Sequence, residues 1–201
     1  MRPNFKQRVM KTKTKIALFA SGTGSNVLNI ITHFSGSDSI EVAIVLSNKP
    51  SAGALSHGRK ANIKSACFNR EDFFNSNQVL NLLKKEQIDY VILAGFLWKI
   101  PENILAKFED KIINVHPSLL PNYGGKGMYG HHVHEAVLAN NEKETGITIH
   151  LVNEKYDDGA IIAQARCTID KGESLQSLQQ KISKLEKENF PITIEQFITK
   201  K

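Results

Sequence analysis

Lys111-Ile-Ile-Asn-Val-His-Pro-Ser-Leu-Leu-Pro121 divides into two halves of different character. Ile112-Ile113-Asn114-Val115 is short and largely β-branched, which predicts a buried strand. His116, Pro117, Ser118, two leucines and Pro121 then break the pattern. Pro117 disfavours the helical region for His116, so the histidine should be extended, just past the strand end. In open α/β sheets the carboxyl ends of the strands are where ligands bind. Asn114 and His116 are two apart, so on a regular strand their side chains leave by the same face. An amide and an imidazole aimed at one point can hold an oxyanion and move a proton. The competing reading is a polar pair that merely satisfies its own hydrogen bonds.

Upstream, Lys15-Ile-Ala-Leu-Phe-Ala20 is an apolar run followed directly by Ser21-Gly-Thr-Gly-Ser-Asn26. Val27, Ile30, Ile31 and Phe34 then recur at helical spacing. A strand, a glycine turn and a helix N-terminus form a ready anion site. The spacing is neither the dinucleotide fingerprint nor a P-loop, and a tight turn that binds nothing would look the same. Strands follow at Glu41–Leu46, Lys64–Phe68 and Ile88–Ala94, with a helix over Ala52–Ala61 that Gly58 weakens. Asn69 can cap a helix carrying Phe73, Leu80 and Leu83, with Arg70 a surface charge at its start. Pro101 opens another helix, running to Phe108. The alternation predicts an α/β fold, a doubly wound and mostly parallel sheet with 111–115 as its central strand.

Beyond the strand, Asn122-Tyr-Gly-Gly-Lys-Gly-Met-Tyr-Gly130 reads as a surface loop or lid. His131, His132 and His134 open a helix to Asn140; with no Cys, Asp or Glu at ligand spacing beside them, no metal is expected. Thr145–Val152 and Ala160–Ile169 alternate as an antiparallel strand pair around Asn153-Glu-Lys-Tyr-Asp-Asp-Gly159. A C-terminal helix spans Glu173 to about Ile198, and Pro191 should break or kink it.

The 201 residues carry a net charge of +6, but Arg2, Lys6, Arg8, Lys11, Lys13 and Lys15 precede any acidic residue. The rest holds 20 basic against 20 acidic residues, a neutral body unlike a nucleic-acid binder. Residues 1–14 are expected to be a flexible basic leader, with Met10 a possible internal start, and 15–201 a single catalytic domain. No run reaches membrane-spanning length or signal-peptide form. Cys67 and Cys167 are expected as buried free thiols in a reducing cytoplasm. The expected assembly is a monomer or weak homodimer, without nucleic acid or membrane.

The glycine loop, Leu93-Ala-Gly-Phe96, Asn114-x-His116-Pro-Ser-Leu-Leu-Pro121, Thr148-Ile-His150 and Asp157-Asp-Gly159 occur in that order. In this the chain resembles the glycinamide ribonucleotide formyltransferases, within the folate-dependent formyltransferase group, from about Lys15 to Phe190. The resemblance implies a Rossmann-like formyltransferase fold. It also implies transfer of formyl from 10-formyltetrahydrofolate, the co-substrate, to the amine of glycinamide ribonucleotide. Asn114 and protonated His116 would hold the oxyanion, and Asp157 would help shuttle protons. Gly24, Ser25 and Asn26 match the phosphate loop. Glu186, flanked by Ser183, Lys184 and Leu185, matches the carboxylate at the glycinamide end. Arg70 matches a folate contact. Leu97, Trp98, Lys99 and Ile100, with Asn153, Glu154, Lys155, Tyr156 and Asp157, match the loops walling the pterin pocket. Trp98-Lys99 stands where some relatives have an arginine before isoleucine. Asp157-Asp158 offers two carboxylates, of which register favours Asp157. Relatives with extra regulatory or tRNA-binding domains fit the single expected domain less well.

Overall fold

The structure, a computed structural model, describes residues 12–200. The proposed start at Met10 and nearly all of the expected leader lie outside them. Strand β1 (Thr14–Phe19) includes Thr14, the last residue of the expected leader.

Seven strands form one sheet in the order β3-β2-β1-β4-β5-β6-β7. β1, β2 (Ile40–Ser47), β3 (Lys64–Cys67), β4 (Tyr90–Leu93) and β5 (Ile112–His116) run parallel. β6 (Glu144–Leu151) and β7 (Ile161–Thr168) continue it antiparallel. β4, not β5, is therefore the middle strand. The chain reverses direction across the sheet between β1 and β4, a topological switch point whose strand ends open a crevice.

Both faces are covered, which explains why the strands read as nearly continuous apolar runs. Ile16, Leu18, Ile92, Ile113 and Val115 point to the side packed by α1 (Ser25–His33) and the final helix. Ala17, Phe19, Val91, Leu93 and Ile112 point to the other. There they meet α3 (Gln78–Lys85) and α4 (Glu102–Lys107). Helix α2 (Gly53–Lys60) tolerates its glycine for a packing reason: a Cβ on Gly58 would collide with Ser65 Oγ and Val45.

Three expectations need correction here. The single helix after Asn69 is two pieces, a π-helical turn Glu71–Asn75 and then α3, separated by an extended Ser76. Asn69 still caps the first: Asn69 Oδ1 accepts from Asp72 N–H at 2.9 Å, and Asp72 Oδ2 accepts from Asn69 N–H at 3.2 Å. The thiols are free but not buried, since Cys67 is exposed and Cys167 partly so. They lie on β3 and β7, the two edge strands, which have a neighbour on one side only.

Pro191, third, does not break the last helix. After α5 (His131–Ala139), helix α6 runs unbroken from Leu175 to Thr199, with Pro191 buried inside it. A proline removes the hydrogen bond to the carbonyl four residues back, here Lys187. Asn29 of α1 supplies the missing donor, its Nδ2 lying 2.8 Å from Lys187 O. We expect Asn29→Ala to lower unfolding stability by about 1 kcal/mol, read as a shift in urea midpoint at constant slope. An unchanged midpoint would show that water serves that carbonyl equally well.

Candidate active site

The carboxyl ends of β1, β4 and β5 border a cavity of about 710 Å³, within the range that takes a small-molecule ligand. Its walls come from the switch-point loops. Ser21 N–H donates to Gly95 O at 3.0 Å, and Leu97 N–H donates to Ser21 Oγ at 3.0 Å, locking the loop after β1 to the loop after β4.

At one end, Gly24 precedes α1 in left-handed backbone, φ 81°. A Cβ there would lie 2.5 Å from Ala54 Cα, so both conformation and space demand glycine. No side chain caps α1, which leaves its first-turn amides for an anion. Gly24, Ser25 and Asn26 all line the cavity. Asn26 Nδ2 donates to Glu186 Oε2 at 2.8 Å, tying that loop to α6. Burial holds the Glu186 carboxyl above the usual carboxylate range, against the opposing hydrogen bond from Asn26. Ser183 and Glu186 line the cavity. Lys184 and Leu185 do not, because they face away on the same helix; Lys184 is exposed beside Glu188.

At the end of β5 the sheet register does the assembly. Asn114 is paired across to His150, and His116 to Thr148. Asn114 Nδ2 lies 3.1 Å from His150 Nε2. His150 Nδ1 lies 2.8 Å from Leu151 O, so that nitrogen carries the hydrogen and Nε2 accepts from Asn114. Burial pushes the His150 imidazolium below the ordinary histidine range, against Leu151 O and Asp157. His150 Nε2 also lies 3.7 Å from Asp157 Oδ1, a distance that would make an ion pair only with a charged ring. The hydrogen-bond pattern and the burial favour the neutral ring.

His116 is buried, and its Nε2 lies 2.8 Å from Tyr123 O, which makes Nε2 a donor. Nδ1 faces Asp157 Oδ2 at 3.5 Å, so the two attract when the ring holds both hydrogens. Asp157 sits at φ 53°, a left-handed position that aspartate accepts better than most residues. Gly125 N–H donates to Asp157 Oδ2 at 2.9 Å. The glycine-rich loop read from the sequence as a surface loop or lid therefore braces this carboxylate. Asp158 is exposed near Lys155, whereas Asp157 is the carboxylate that faces His116.

Thr148 fastens the segment after His116: Thr148 Oγ1 donates to Ser118 O at 2.7 Å and accepts from Leu120 N–H at 2.9 Å. In the sequence Thr148 and His150 stand out only as parts of the Thr148-Ile-His150 motif. Their roles depend on strand register, which the chain order does not display; the alternation Thr148-Ile149-His150, which puts both polar side chains on one face, is the signal the sequence offers.

Among the loop residues, Leu97, Trp98, Lys99, Ile100, Asn153, Lys155, Tyr156 and Asp157 line the cavity, and Glu154 does not. Lys99 Nζ stands 5.7 Å from the Tyr156 ring, joining the two loops. Arg70 lies outside the cavity wall, with its guanidinium over Phe74 at 4.9 Å and Trp98 at 5.3 Å. It is thus stacked, rather than simply solvated. Contrary to the expectation that no acidic residue stands at ligand spacing beside these histidines, Glu135 lies one helical turn from His131 and His132, with the three ligand atoms within 4.8 Å of one another. All three are exposed.

The order of loops and strand ends has a counterpart in known proteins. The formyl transferase family profile matches residues 14–194. The chain belongs to the formyl transferase family. It is 33% identical over 189 residues to phosphoribosylglycinamide formyltransferase of Bacillus subtilis (strain 168), covering 92% of this chain and 94% of that one. The chloroplastic enzyme of that name from Arabidopsis thaliana is 36% identical over 176 residues; the match covers 85% of this chain but spans only 60% of that relative. In three dimensions, the crystal structure of the Bacillus halodurans phosphoribosylglycinamide formyltransferase superposes with a TM-score of 0.84 at 33% identity, covering 93% and 96% of the two chains. Among the described residues, no helix is long and apolar enough to cross a membrane.

If His150 acts by orienting Asn114, His150→Leu should reduce kcat about tenfold, the worth of one misdirected buried hydrogen bond. In an Asn114→Ala background the same change should then cost almost nothing more. Additive losses in that double-mutant cycle would mean His150 works independently.

Proposed function

We propose that this protein is a phosphoribosylglycinamide formyltransferase, acting in de novo purine synthesis. It moves the formyl group of 10-formyltetrahydrofolate to the amine of N1-(5-phospho-D-ribosyl)glycinamide. The observation that carries the reading is the meeting of Asn114, His116 and Asp157 in one cavity whose other end is an uncapped helix start. The family membership and the names of the relatives support the same substrates.

In this reading the substrate phosphate lies on the Gly24–Asn26 loop, and Glu186 holds the glycinamide end. The folate lies between the 97–100 and 153–157 loops, which brings its formyl carbon to the end of β5. The amine nitrogen attacks that carbon, and the carbonyl electron pair moves onto oxygen. Asn114 Nδ2 donates its second hydrogen to the resulting oxyanion, and the His116 ring, when it holds both hydrogens, adds its positive charge beside it while its N–H groups stay on Tyr123 O and Asp157. Asp157 accepts a proton from the attacking nitrogen and returns one to the folate nitrogen as the carbon–nitrogen bond breaks. The products are the N-formyl ribonucleotide and tetrahydrofolate. Arg70, stacked beside Trp98, stands outside the cavity wall, where it suits the outer part of the folate rather than the pterin.

Absorbance at the folate band, followed with and without the ribonucleotide, tests this directly. Deformylation that requires the ribonucleotide is the expected result. Equal turnover without it would mean that water is the acceptor and would overturn the reading.

A further inference from the structure

His134 is used by nothing described so far. It sits on the first turns of α5, lines the cavity and is only 6% exposed. Its Nδ1 is sealed from solvent and has no hydrogen-bond partner. A buried polar atom in that state calls for an explanation. Were Nδ1 protonated, it would be a buried donor with nothing to meet it, which costs more than an idle acceptor. The ring is therefore neutral with its hydrogen on Nε2, a tautomer set by the surroundings. Burial, with His116 and His131 nearby, pushes the His134 imidazolium below the ordinary histidine range, in agreement with that assignment.

The position says what such a donor is for. Helix α5 packs against α6, which contributes Gln179, Ser183 and Glu186 to the cavity. Glu186 is bonded to Asn26 of the glycine loop. His134 thus belongs to the wall on the α6 side, with His116 close enough to be felt electrostatically.

We propose that His134 is a binding residue for the amine substrate, its neutral imidazole donating Nε2–H to an oxygen of the ribosyl-glycinamide moiety. The proposal rests on the functional reading above and adds a contact to its substrate. The donor meets the bound ribonucleotide equally in ground and transition states, so it should act on binding rather than on the chemical step.

The test compares His134→Phe, which keeps the ring and loses the donor, with His134→Gln, which keeps an uncharged N–H. His134→Leu serves where the Phe variant fails to fold, judged by its thermal midpoint. Titration calorimetry with the ribonucleotide alone and steady-state kinetics with both substrates are the readouts. We expect Phe to raise Kd and KM for the ribonucleotide roughly 10- to 100-fold. The folate KM and kcat should stay near wild type, and Gln should recover most of the affinity. Variants that bind the ribonucleotide as wild type does would overturn the proposal. A Gln variant as impaired as Phe, with folate KM moved in step, would also do so by assigning His134 to the scaffold. A wild type that does not bind the ribonucleotide at all would overturn this proposal together with the functional reading.

Discussion

Asp157→Asn is expected to lower kcat by about 10²- to 10⁴-fold, the range of a lost general acid–base group, while folate binding stays close to wild type. The substitution is nearly isosteric, and the asparagine Oδ1 can still accept the 2.9 Å hydrogen bond from Gly125 N–H. The loop should therefore remain in place. What goes is the negative charge 3.5 Å from His116 Nδ1, and with it the group that takes and returns the proton. Single-turnover formyl transfer, measured alongside folate affinity by fluorescence quenching of Trp98, separates the two effects. A loss smaller than tenfold would remove Asp157 from the chemistry. A parallel loss of folate affinity would make it a structural support of the pocket instead.

Asn114→Ala should be the next most damaging change. Removing one oxyanion donor in acyl transfer costs about 10²- to 10³-fold in kcat, or roughly 2.7–4 kcal/mol. The formyl oxygen carries little charge before attack, so the amide matters most in the transition state and KM should move little. Asn114→Asp is an informative companion, since it retains shape but places a like charge where the oxyanion forms and loses the donor to His150. Steady-state kinetics with both substrates saturating is the measurement. An unchanged kcat for Asn114→Ala would leave His116 as the oxyanion's partner without help from the amide.

Much of this site could be read along the chain because its parts are local. Strand, glycine and helix stand in sequence at 15–34, and β-branched residues lead into a His-Pro step at 112–117. Each follows from backbone preference over a few residues. The catalytic trio came from a motif resemblance, and two of its members are also predicted to share a face by strand alternation. What stayed hidden depends on separation in sequence. His150 reaches Asn114 because β5 and β6 run antiparallel in one particular register. Asn29 reaches Lys187 across two helices far apart in the chain, so proline alone could only suggest a break. Arg70 became a stacked residue because a π-helical turn set Phe74 beside Trp98. His134 looked like one of a histidine run, and only its enclosure and its unpartnered nitrogen separate it from its exposed neighbours. Glu135, by contrast, is legible in the sequence, because one helical turn from His131 is ordinary ligand spacing.

The hydrogen bond from Gly125 to Asp157 means that the carboxylate's address is written partly in a different loop. Asn114, His116 and His150 stand on strands and share the sheet's permanence. Asp157 stands on a hairpin tip, held by one amide from a run in which Gly125, Gly127 and Gly130 all adopt positive φ. The site is thus half fixture and half fitting. A protease that nicks the 124–130 run would sever no strand, so the sheet and the phosphate loop would survive the cut. The nicked protein would be a capable binder and a poor catalyst, with the rigid half still waiting for a carboxylate that no longer arrives in register.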